Sequence, residues 1–75
     1  MSNPRDHYRN MQLMKAKMVI TYAKLHMASY DQQYRSQVKT DIVLLEMMLK
    51  NDAETTAIED QINNIVDQCV FGEGM

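Results

Sequence analysis

Between Arg5 and Phe71 the chain contains neither glycine nor proline, and that absence removes the usual means of building hairpins, tight loops and phosphate-cradling turns. The expected fold is therefore all-α. Its start is marked by Asn3 as a cap, Pro4 at the first helical position and Asp6 near the positive helix end. Its end is marked by Gly72 after Phe71, the residue type that accepts a left-handed conformation beyond a last turn. In between, Asn51-Asp52 is the best break, with Asn closing one helix and Asp capping the next. A weaker break lies at Ser29-Tyr30-Asp31-Gln32, which has the form of a capping box.

These signals predict a single helical domain over 1–75, with helices over about 4–28, 30–50 and 53–71. Leu13, Ala16, Ile20, Ala23, Met27, Tyr30, Tyr34, Val38, Ile42, Leu45 and Leu49 follow at steps of three or four, which favours one continuous helix through residue 50. The acid-before-base pairs Asp31/Arg35 and Glu46/Lys50 add local support. Such a helix would be about 70 Å long, too long for a compact chain of this size. Both forms, broken near 29 or continuous, stay open.

A second stripe, Met11, Met14, Met18, Tyr22 and Leu25, lies roughly 150° around the first helix from the core stripe. Two apolar stripes demand two neighbours. The last helix has one stripe, Ile58, Ile62, Ile65, Val66 and Cys69, with Glu59, Asp60, Asn63, Asn64 and Asp67 turned away. It is expected to fold back on residues 30–50 as a hairpin, giving a three-helix type of bundle. Met11, Met14, Met18 and Leu25 are then left as an oligomer surface.

Size points the same way, because a 75-residue chain buries only about 60 to 65% of its unfolded surface and often needs disulfides, metal or self-association. One cysteine, Cys69, closes no internal disulfide, and no Cys or His pair has zinc-ligand spacing. Self-association is the remaining remedy. Cys69 itself reads as an inert thiol on an apolar face.

Charge is divided by halves: residues 1–40 carry seven basic side chains against two acidic ones, net +5, and residues 41–75 carry one against eight, net −7. A division of this size marks a surface that meets its opposite, whether the other half, another copy, a partner or a phosphate backbone. Tyr22, His26, Tyr30 and Tyr34 step by four within the basic half, with Lys17, Lys24 and Arg35 around them, and form the expected partner-binding surface. Rings at helical spacing are more often packing, and a charge run is more often a solvated face.

Nothing in the chain suggests catalysis: His7 and His26 have no local Asp, Ser or Cys arrangement, and no catalytic, cofactor or metal residues are expected. The polar N-terminus and short apolar runs predict neither a signal peptide nor a membrane span, and the lone thiol suits a cytoplasmic setting. The helix, short turn and acidic helix ending in Cys69-Val70-Phe71-Gly72 resemble, over residues 38–72 at most, the small dimeric hairpin regulators of the Rop type. No shared motif carries a residue role across. Small motif-free helical proteins are common among regulators encoded by phages and mobile elements, an association of class only.

The expected function is that of a non-enzymatic interaction or regulatory protein, a homo-oligomer that binds an unidentified protein partner. The alternative is nucleic-acid or nucleotide-phosphate binding, with Arg5, Arg9, Lys15, Lys17, Lys24, Arg35 and Lys39 on phosphates and Tyr8 or Tyr22 stacking. A pI near 5.5 weighs against it. A third possibility is a purely structural assembly component.

Overall fold

The computed structural model describes residues 4–73, with side chains described over 6–70. Three helices account for nearly all of it: α1 over Pro4–His26, α2 over Gln32–Lys50 and α3 over Thr55–Glu73, with a 3-10 turn over Met27–Ser29 between the first two. No strand occurs among the described residues. The three helices pack against one another in a body 45 Å in its longest dimension.

The chain breaks near 29, so the continuous helix that periodicity favoured does not form. Tyr30 and Asp31 are extended, with ψ of 155° and 152°, and the Tyr30 ring is buried in the core at 4% exposure. Breaking the helix lets the apolar stripe fold onto itself, since Ala16 and Ala23 on α1 and Val38, Ile42 and Leu45 on α2 enter one core. The capping box does not form. Ser29 Oγ instead donates to His26 O at 2.8 Å, finishing α1, and Asp31 precedes α2 without a side-chain cap. Neither expected pair within a helix forms an ion pair, and Glu46 faces Lys24 on α1 instead, at 3.9 Å.

The second turn differs from expectation by one position. Asn51 ends α2, but Asp52 takes the left-handed conformation at φ 57° rather than capping α3. Ala53 N–H donates to Met48 O and Asp52 N–H to Leu49 O, the paired bonds of a Schellman ending. Ala53 and Met48 supply its apolar contact, both packed against the core. The helix α3 then starts at Thr55 and runs through Gly72 to Glu73, with no glycine at positive φ among the described residues. A glycine permits a stop without imposing one. The expected cap Asn3 and the tail residues Gly74 and Met75 lie outside the described residues.

Direction follows from contacts. The helix α3 returns along α2, bringing Gln61, Asn64 and Gln68 onto Asp41. It runs parallel to α1, since Gln12 reaches Thr55 and Lys15 reaches Glu59. The core is largely the work of α2 and α3: Val38, Ile42, Leu45, Ile58, Ile62, Ile65 and Cys69 are all buried. Among the described residues of α1 only Gln12, Ala16 and Ala23 are buried, with Val19 and Ile20 partly so, as is Met27 in the turn that follows. Alanines seven residues apart let α1 approach closely while contributing little apolar area of their own.

Asp41 is buried at 6% exposure in the seam between α2 and α3. Its Oδ2 accepts from Gln37 at 3.1 Å, from Asn64 at 3.3 Å and from Gln68, and Gln61 donates to its backbone carbonyl at 2.9 Å. Amide donors thus take the place of water around a carboxylate that burial would otherwise penalise. Two substitutions test this packing by chemical denaturation. Ile62→Ala is expected to destabilise the fold by about 2–5 kcal/mol through the cavity it leaves, and Asp41→Ala by about 1–3 kcal/mol through the donors it strands.

Candidate functional site

The two apolar stripes of the first helix have opposite fates. Of the core stripe Ala16 and Ala23 are buried, Ile20 is partly so and Leu13 is 37% exposed, whereas Met11, Met14, Met18 and Leu25 are 58%, 64%, 69% and 75% exposed. Their positions on the helix wheel make one face, and Tyr22 continues it. Beside this face, Met18, Val19 and Tyr22 from α1 and Val66, Cys69 and Val70 from α3 line a largely apolar groove of about 380 Å³. The stripe thus extends onto a second helix. This contiguous exposed apolar surface is the candidate site of the chain.

Charge borders it. Lys15 Nζ donates to Glu59 at 3.0 Å, and Arg9 pairs with Asp52. With Lys24 and Glu46, three basic residues of the front half meet three acidic residues of the back half. The charge division is answered to that extent inside one molecule. Glu59 and Asn64, expected to turn away from neighbours, instead contact α1 and Asp41. Lys17, Arg35 and Lys39 are exposed and in no ion pair among the described residues.

The expected partner surface does not hold together as one ladder, because the break at Met27–Ser29 puts its members on different elements. Tyr22 and His26 stay adjacent on α1, ring centres 4.3 Å apart, and Tyr22 lines the apolar groove. Tyr30 is a core residue and no part of a surface, buried with the aliphatic side chains of the core cluster. Tyr34 is partly buried against the core on α2, and Arg35 is exposed beside it. Lys17 lines a different hollow, between α1 and α2, with Leu13, Ile20, Glu46 and Leu49, and Lys24 is held toward that side by Glu46.

Sequence reasoning missed the polar seams. Gln37/Asp41 and Asn64/Gln68 are each four apart, a spacing that places polar groups on one face, and that was the available signal. Gln12, buried at 6%, donates to Thr55 O at 2.8 Å and approaches Glu59 at 3.5 Å. Nothing in its surroundings along the chain announced it.

Among the described residues no group of three or more His, Cys, Asp or Glu is placed to hold a metal ion, and no helix is long and apolar enough to cross a membrane. The chain matches no protein-family model, no curated protein and no solved structure.

Hydrogen bonds from Lys15 and then from Gln12 hold the Glu59 carboxyl below its ordinary value of 4.5, against an opposing push from burial. A carboxyl lowered on folding stabilises the fold fully above that ordinary value, and the contribution is lost as pH falls through the lowered one. Glu59→Gln is therefore expected to flatten the decline of thermal stability below about pH 4.5 while changing it little through loss of this contribution at the acid extreme. An unchanged acid limb would show that the contact does not form in solution.

Proposed function

We propose that this chain is a non-enzymatic interaction protein that self-associates through the outer face of α1 and acts by binding another macromolecule. One observation carries this reading: the largest apolar side chains of α1 point away from its own core, which α1 enters mainly through two alanines and a glutamine. Exposing four such side chains together is costly in water, and each Met or Leu covered fully contributes about 1.5–3 kcal/mol. Methionine suits such a face because its unbranched thioether adapts to the surface opposite. A separate exposed strip, Val43, Leu44 and Met47 on the outward side of α2, supports the second half of the reading.

Phosphate binding by the basic half is the alternative, and it has less behind it. Arg9, Lys15 and Lys24 already face carboxylates of the same molecule, and the remaining cations are scattered over α1 and α2. Counterion-driven binding needs several cations on one face. A nucleic-acid titration at low salt is expected to give no shift, and a shift that fades as salt rises would favour the alternative.

Self-association is tested by sedimentation over a concentration series. The unaltered chain is expected to form a small oligomer at micromolar concentration, and Met18→Glu to shift it to monomer with its helical signal retained. Met47→Glu, on the other face, is expected to leave the oligomer in place. A compact monomer at all concentrations would remove this reading.

A further inference from the structure

The α1/α3 face carries opposite charges along its two edges. Beyond the methionine band, on the side of α1 away from α3, lie exposed Lys17 and Lys24; beyond Val66 and Val70, on the outer side of α3, lie exposed Asp60 and Asp67. Residues seven apart fall within about 20° of each other on a helix, so each pair forms a short column. The two columns are in register. Parallel helices α1 and α3 meet at Lys15 with Glu59, an offset of 44 residues, and at Gln12 with Thr55, an offset of 43. The offset of 43 also separates Lys17 from Asp60 and Lys24 from Asp67, so each lysine stands level with one aspartate across the width of the face.

From this pattern we infer that the occupant of the face is a second copy of the chain, related by a two-fold axis parallel to the helices, so that the copies lie side by side in the same direction. The inference rests on the self-association proposed above and adds its geometry. A two-fold axis along the helices keeps heights and exchanges edges, which brings Lys17 against Asp60 of the second copy and Lys24 against Asp67, twice over by symmetry. A two-fold axis across the helices would set lysine edge on lysine edge and aspartate edge on aspartate edge. Like charges facing each other are disfavoured, and that favours the parallel arrangement over the antiparallel one.

The groups involved are available for the contact. Asp60, Asp67 and Lys17 are in no ion pair among the described residues, and Lys24 meets Glu46 at 3.9 Å with both side chains about half exposed, a contact easily exchanged. In the parallel pairing α1 of each copy lies over α3 of the other. With heights kept, Tyr22 and Leu25 then lie level with Val66 and Val70 of the second copy.

Charge reversal separates the two geometries. In the parallel dimer, Lys17→Glu with Lys24→Glu puts glutamates against aspartates and is expected to raise the dimer dissociation constant about tenfold or more at low ionic strength. Adding Asp60→Lys and Asp67→Lys restores the pairs in swapped form and is expected to return the constant to its starting range. In an antiparallel dimer the reversal merely replaces one like-charge edge by another, so both variants would bind as the unaltered chain does. A dimer indifferent to the reversal, or weakened by it and not restored by the swap, overturns the parallel pairing and leaves self-association standing. A chain that is monomeric before any substitution overturns both. As a second measurement on the unaltered protein, carbodiimide coupling is expected to join Lys17 to Asp60 within the covalent dimer, and a dimer linked only elsewhere counts against the pairing.

Discussion

The structure depends on how lightly α1 is held by its own chain. The helices α2 and α3 bring isoleucine, leucine and valine into the core, whereas α1 reaches it through Ala16, Ala23 and Gln12, with Val19 and Ile20 only partly covered. Small side chains permit close approach but remove little apolar surface from water. Polar contacts along one edge, from Arg9, Gln12 and Lys15 to Asp52, Thr55 and Glu59, fix its register without adding much energy at exposed positions. The bulk that α1 does carry therefore faces outward, and the chain presents its most adaptable apolar surface on its least buried helix.

Polar groups determine how the helices are aligned. Asp41, buried among amides of α2 and α3, fixes one seam, and Gln12, buried against the first turn of α3, fixes the other. Apolar contacts are tolerant of a shift by one turn, whereas a buried carboxylate that loses its donors carries the full cost of desolvation. Most of the core is aliphatic, so these two polar residues narrow the ways in which the three helices can be stacked. The Schellman ending at Asn51 to Ala53 fixes the angle at which α3 departs and leaves Asp52 facing Arg9.

Much of the fold was legible along the chain. The lack of glycine and proline gave helices, spacing at three and four gave the core stripe, and the surplus stripe at Met11, Met14 and Met18 identified the surface the fold leaves bare. Legibility ended where two signals competed. Unbroken periodicity from Leu13 to Leu49 argued for one helix, but a stripe on two antiparallel helices has the same spacing as a stripe on one, so periodicity was blind to the break after His26. Ser29 and Asp52 were both recognised as turn residues and given the wrong part in the turn, because a hydroxyl or carboxylate near a helix end can finish one helix as readily as begin the next.

Sequence alone determined that this protein is helical, that its front half has more apolar surface than one neighbour covers, and that its charges are divided. Those are properties of residue order within a single helix, where geometry repeats every 3.6 residues. Tertiary structure decided that Tyr30 goes inside, that Arg9, Lys15 and Lys24 face carboxylates of the same chain, and that Val66 and Val70 widen the methionine face into a surface built by two helices. Each of these depends on the register between helices that are distant in sequence. That register is set by packing through space, which no local pattern encodes.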